Sequence, residues 1–261
     1  MRKGLFAVVL GVALCSTLAA AKIEQRNTGA IEEGGVLTQV AQGGGWGTEL
    51  QVVNTDDEGR QIPYTITFFR NGGQPMNVTV FDANGMSLGT GNMLAGISAY
   101  PGADFFFLPN MGELNAGYAV IEASDFRVVM VNAVLTQSVP GRPDFQASVP
   151  SLDRAMDRMR FAFRNTPPYT TTLALASSFT DTGVIAIARD SEGMEMCRNE
   201  FSMKEGDHMA VILRDFLPCT AGKAGLVEII SDFIGISGIA FLFNDAGAFT
   251  TQLPFQVCCI F

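Results

Sequence analysis

Histidine, tryptophan and tyrosine are nearly absent from this 261-residue chain, which has one His, one Trp and four Tyr. A single imidazole excludes a metal centre built from several histidines and leaves a Ser-His-Asp triad only one candidate base. No Gly-x-Ser-x-Gly elbow accompanies it. Charge is scarce too, at 16% of residues, and the balance is acidic, with 17 Lys and Arg against 26 Asp and Glu. Nucleic-acid binding needs a basic footprint, so nucleic acid is set aside as a partner. Helical periodicity is sustained almost nowhere; only Ser151–Arg160 carries spacing for one or two turns. Beyond the first residues no apolar run reaches the roughly 20 positions that span a bilayer. The most apolar stretch, Phe233–Asn244, lies between Asp232 and Asp245, so no transmembrane segment is expected in the mature chain.

The start of the chain reads as a secretory signal over residues 1–21. Arg2 and Lys3 form a short basic start, Gly4–Cys15 is apolar, and Ala19-Ala20-Ala21 supplies small residues for cleavage after Ala21. Removing it shifts the net charge from −9 to −11, because Arg2 and Lys3 go with it. The mature protein is therefore expected to be soluble and secreted, periplasmic or at the cell surface.

What is abundant is apolar alternation punctuated by glycine. In Trp46-Gly-Thr-Glu-Leu-Gln-Val-Val, residues Trp46, Thr48, Leu50 and Val52 share one face; in Tyr64-Thr-Ile-Thr-Phe, Tyr64, Ile66 and Phe68 do. Both predict half-buried strands. Arg127–Leu135 and Ile234–Phe243 are apolar on both faces, as central sandwich strands are. Turn clusters separate the runs: Asn54–Gly59, Asn71-Gly72-Gly73, Asp82-Ala-Asn-Gly, Pro140-Gly-Arg-Pro, Asp190-Ser-Glu-Gly and Asn244-Asp-Ala-Gly. Short strands with Gly-rich turns predict an all-β fold.

The sequence also parallels itself. Trp46-Gly-Thr-Glu-Leu-Gln-Val matches Tyr169-Thr-Thr-Thr-Leu-Ala-Leu, Leu108-Pro109 matches Leu217-Pro218, and Ala116-Gly117 with Ser124-Asp125-Phe126 matches Ala224-Gly225 with Ser231-Asp232-Phe233. Asp82-Ala-Asn-Gly-Met resembles Asp190-Ser-Glu-Gly-Met residue for residue, yet Phe69–Gly73 stands at the expected distance from Trp46. The second register is preferred, making Val80–Gly96 an extra hairpin. The expected organisation is a linker over 22–35, one β-sandwich over 36–150 and another over 151–261.

The order of an aromatic-led strand (Gly43-Gly44-Gly45-Trp46, then Pro168-Tyr169-Thr170-Thr171), a hairpin, a Glu205-Gly206-Asp207-His208 turn leading to Phe216-Leu217-Pro218, and a closing Gly-Ala-Phe-Thr-Thr resembles uncharacterised secreted bacterial proteins. Those proteins carry tandem Ig-like antiparallel β-sandwich modules and have no settled activity. The resemblance implies a fold and no chemistry. In the first copy Pro101-Gly102-Ala103-Asp104 replaces the His-containing turn.

Candidate residues read mainly as structural. His208 is expected at a turn-flanking surface position. Asp56-Asp57-Glu58 and Asp82-Ala-Asn84-Gly85 are expected as solvated turns, the second lacking the downstream Glu of a calcium loop. Ala41-Gln-Gly-Gly-Gly-Trp-Gly opens onto a strand and has no Lys for a phosphate loop. Trp46 and Tyr169 suit core or edge packing better than sugar stacking. Cys197 and Cys219, 22 residues apart, are expected to form a disulfide; Cys258 and Cys259 have no assigned partner.

The resulting expectation is an exported, non-enzymatic binding or structural module with no cofactor and no metal, its partner a protein or glycan of the cell envelope. A carbohydrate-binding module and an adhesion or assembly subunit are alternatives. Alternation of Phe255, Val257, Cys259 and Phe261 also suits the closing strand of an outer-membrane barrel. The loops Asn54–Gln61, Val80–Gly96 and Arg142–Asp157 are where recognition on a sandwich is expected.

Overall fold

The computed structural model describes residues 22–24, 35–99, 102–152 and 156–256. The expected leader and both C-terminal cysteines lie outside them.

Among the described residues twenty strands run in order. The first eleven are β1 (Lys22–Glu24), β2 (Gly35–Gln42), β3 (Trp46–Asn54), β4 (Ile62–Phe69), β5 (Val78–Asp82), β6 (Ser87–Gly91), β7 (Met93–Ser98), β8 (Gly102–Leu108), β9 (Asn115–Ala123), β10 (Val129–Gln137) and β11 (Phe145–Pro150). The rest are β12 (Arg158–Arg164), β13 (Tyr169–Ser177), β14 (Thr182–Arg189), β15 (Glu195–Met203), β16 (His208–Ile212), β17 (Ala224–Ser231), β18 (Ile236–Asn244), β19 (Phe249–Gln252) and β20 (Phe255–Gln256). They form four antiparallel sheets. Sheet I is β1-β7-β4-β9-β2 and sheet II is β11-β10-β3-β8-β5-β6; sheet III is β16-β13-β18-β19 and sheet IV is β15-β14-β17-β12-β20. None closes into a barrel, so the outer-membrane reading fails for the described residues.

Sheets I and II take all their strands from the first part of the chain, and III and IV from the second. With β1, β20 and the β5–β6 hairpin set aside, both pairs have the same strand order. In each, the second strand lies beside the fifth (β3–β8, β13–β16) and the third beside the sixth (β4–β9, β14–β17). Those pairings are central to Ig-type sandwiches. The outer strands differ from that pattern: the first sits beside the sixth (β2–β9, β12–β17) and the seventh beside the second (β10–β3, β18–β13).

Two expectations change. The extra hairpin is Val78–Gly91, not Val80–Gly96: at Asn92 the chain leaves sheet II, and β7 pairs with β4 in sheet I. Ser151–Arg160 is no helix where described, because Arg158–Arg164 pairs with β17 along its whole length.

Sheet III is buried on both faces. Leu173, Leu175 and Ala240 point into the core between sheets III and IV, while Ala174, Ile239, Phe241 and Phe249 join the core of sheets I and II. The apolar character of both faces of Ile236–Phe243 thus reflects two different partners. Edge strand β2, buried throughout, lies against sheet III. A third cluster, Val36, Phe69, Tyr118, Val120 and Ala176, also joins the two sandwiches.

Candidate functional site

The residues that looked most chemical are occupied by structure. His208 is 9% exposed and sits between the sandwiches, not at the surface. Its Nε2 is 3.1 Å from Gln39 Oε1, its backbone N–H donates to Asn71 Oδ1 at 3.0 Å, and its ring lies against Tyr118. Burial pushes its pKa down to about 4, partly opposed by the Thr38 carbonyl. Next to it Gly73 N–H donates to Gly206 O at 2.7 Å. Gly206 has φ +86°, and a Cβ there would lie 2.6 Å from Gly73 Cα, so the close approach requires glycine.

Asp56 is buried rather than solvated, and it accepts from Arg60 N at 2.8 Å and Arg60 Nε at 2.9 Å. Those bonds hold its carboxyl below the usual range. They close the Asn54–Gln61 loop on itself. Asp82 and Asp190 make the same turn: each Oδ1 accepts two backbone N–H groups, from Asn84 and Met86 at 2.9 and 2.8 Å, and from Glu192 and Met194 at 3.0 and 2.9 Å. Identical turn chemistry at non-equivalent places explains why the two segments read alike.

The other candidates pack. Trp46 meets Phe249 edge-on at 5.3 Å across the junction, and Arg164 stacks 3.9 Å over Tyr169. Arg142 donates to Ala246 O at 2.9 Å, tying its loop to the second sandwich. Cys197 on β15 is bonded to Cys219, which follows the helical turn Leu213–Phe216.

The arrangement that remains open is the outer face of sheet IV. Glu228 on β17 is 3% exposed. Arg160 on β12 donates to its Oε1 through Nε at 2.8 Å and lies 2.7 Å away through Nη2. Arg189 on β14 approaches Oε2 at 3.3 Å, and Arg158 lies 3.8 Å from Oε1. Burial alone would raise the Glu228 pKa; Arg160, then Arg189 and Arg158, bring it below the ordinary value. Three guanidinium groups share the Glu228 carboxylate, with Glu195 opposite Arg189 in the register, a local positive excess within an acidic chain. Arg158, Arg160 and Arg189 keep 44%, 37% and 29% of their side chains exposed. Phe255, 65% exposed, stands opposite Arg160 in the register.

Sequence reasoning missed this face, although a signal existed. In Arg158-Met-Arg-Phe-Ala-Phe-Arg164, arginine and alanine alternate with apolar residues at period two, the mark of a strand.

No family model matches the chain, and the search of curated proteins finds no match. Among solved structures, the Enterococcal surface protein, partial N-terminal region, aligns over 91% of this chain and 99% of its own at 9% identity, with a TM-score of 0.20. That degree of overlap carries no argument about fold or function. Among the described residues no helix is long and apolar enough to cross a membrane.

Proposed function

We propose that the protein is exported and acts as a non-enzymatic binding module, built of two tandem copies of one Ig-like sandwich, 36–150 and 151–261, joined through sheet III. One observation carries the reading: the side chains with chemical potential are committed to the framework. The chain's one imidazole is packed against Tyr118. The Asp56, Asp82 and Asp190 carboxylates accept hydrogen bonds within their own loops. What is left for function is surface presented by a scaffold whose halves share a core. The Cys197–Cys219 bond supports export, because disulfides persist in oxidising compartments.

Fractionation of native cells with intact-mass analysis tests this. The expected result is a species outside the cytoplasm that begins at Lys22 and holds an oxidised Cys197–Cys219 pair. Recovery of the reduced, unprocessed chain from the cytoplasm would refute it.

A further inference from the structure

We infer that the outer face of sheet IV binds an acidic polysaccharide through Arg158, Arg160 and Arg189; the inference rests on the binding-module reading and names its ligand class. The argument begins with the corresponding face of sheet I. Gly117 on β9 and Gly225 on β17 occupy the same place: a Cβ at either would lie about 2 Å from the carbonyl oxygen of Phe69 or Arg189, respectively. Counting from those glycines, Val120 corresponds to Glu228 and Tyr118 to Leu226. The registers then place Val36 opposite Val120 as Arg160 is opposite Glu228, and Phe69 opposite Tyr118 as Arg189 is opposite Leu226. In the first sandwich these positions form the apolar cluster covered by Ala176 and Phe179. In the second, three of the four carry charge.

A polar end is what a terminal module needs to stay unpaired. Solubility alone, however, calls for no excess of one sign, and this face sets Arg158, Arg160, Arg189 and Arg198 against Glu228, Glu195 and Glu200, an excess of one positive charge. Arg198, across from Ile187 on the same face, is by contrast paired with Glu195 at 2.7 Å. The three forks converge on Glu228 and are engaged to different degrees: Arg160 donates to it through Nε, Arg189 donates to it and to Gly193 O, and Arg158 stands off at 3.8 Å. Their backbones are about 7 Å apart along β12 and about 10 Å apart across two strands, but the side chains lean together over the one carboxylate. Arg158, the most exposed of the three and the farthest from Glu228, is the one with most to offer an acidic group on a polymer lying across the face. Planar guanidinium forks bind carboxylate or sulfate oxygens in pairs.

A glycan fits better than a peptide. Strands β14, β17 and β12 are each hydrogen-bonded on both sides, although β20 covers only Met159 and Arg160, so this face offers a peptide little free backbone. It offers side chains alone, with Phe255 beside Arg160 as a ring-sized apolar platform for a sugar.

The test is binding of the full mature protein to polygalacturonate, dextran sulfate, neutral dextran and poly-glutamate at low and high salt. Polygalacturonate or dextran sulfate should bind and neutral dextran should not, and high salt should weaken the complex. Which of the two binds separates carboxylate from sulfate recognition. Arg158→Gln leaves the closer Arg160 and Arg189 contacts to Glu228 in place and should weaken binding about tenfold. Glu228→Gln removes the compensating charge and should tighten it. Disulfide content and Trp46 emission show that each variant is folded. If the folded protein binds no polyanion, or Arg158→Gln binds like wild type, the cluster is only a cap and the inference is overturned. Poly-glutamate bound as tightly as the glycans would overturn the glycan class. Polymer that binds but is shortened would leave the site standing and refute the non-enzymatic reading.

Discussion

Acid should loosen the junction between the sandwiches, and His208 should be the reason. Unfolded, its imidazole takes up a proton near pH 6.5; folded, burial delays this to about pH 4. A base whose folded pKa is depressed contributes stability that is complete above the unfolded value and is lost as pH falls through the window between the two. Each pH unit in that window is worth about 1.4 kcal/mol, so the ceiling is about 3 kcal/mol. The upper part, pH 6.5 to 5, is the clean interval, because ordinary carboxylates protonate below it. Asp104, whose pKa burial raises, contributes stability that grows as pH falls and so opposes the trend. Comparison with His208→Gln cancels it. The assay is urea unfolding followed by Trp46 emission, since this one tryptophan packs on Phe249 across the junction. Wild type should lose roughly 1 kcal/mol per unit between pH 6.5 and 5, and His208→Gln should be nearly flat. Equal slopes, or wild-type stability that rises with acid, would refute the assignment.

Three further outcomes follow from packing. Phe241→Ala removes a ring that sheet III places in the core of sheets I and II, so it should cost about 3–5 kcal/mol and lower thermal stability of both sandwiches in calorimetry. Gly206→Ala forces a Cβ against Gly73 at positive φ and should cost on the order of 2 kcal/mol in urea titration, whereas Gly193→Ala, with open space around it, should cost only its backbone strain. Cys197→Ser with Cys219→Ser opens a link of sequence separation 22 and should lower stability by about 3 kcal/mol, read as a lower urea midpoint than that of the oxidised protein.

The all-β class was legible because its signals are local: alternation in Tyr64–Phe68, and Asp or Asn with Gly at each reversal. The Cys197–Cys219 link was legible too, from its spacing and from the export expected of the chain. What escaped was long-range. His208 follows Gly206-Asp207 and reads as a surface turn; the group that buries it, Gln39, is 169 positions away. Asp56 reads as one of three solvated acids until Arg60 is seen to fold back on it. The sheet IV face was missed for another reason: Ser151–Arg160 carries helical spacing, and that obscured the alternation beginning at Arg158.

The same comparison explains how one strand order serves an interior and an exterior face. At Val36 and Val120 the chain places two β-branched apolar residues opposite each other across β2 and β9, and covering them removes apolar area from water at about 25 cal/mol per Å². At Arg160 and Glu228 the equivalent pair is ionic. An apolar cover there would strip the remaining water from the half-exposed arginines around the already buried Glu228, and the penalty for burying ionic groups can exceed their attraction. Another sandwich docking there as the second docks on the first would therefore meet a desolvation cost where the existing junction gains. The exchange of apolar for charged side chains stops the stacking of sandwiches at this face, while leaving the guanidinium groups in water, where an anionic chain can reach them.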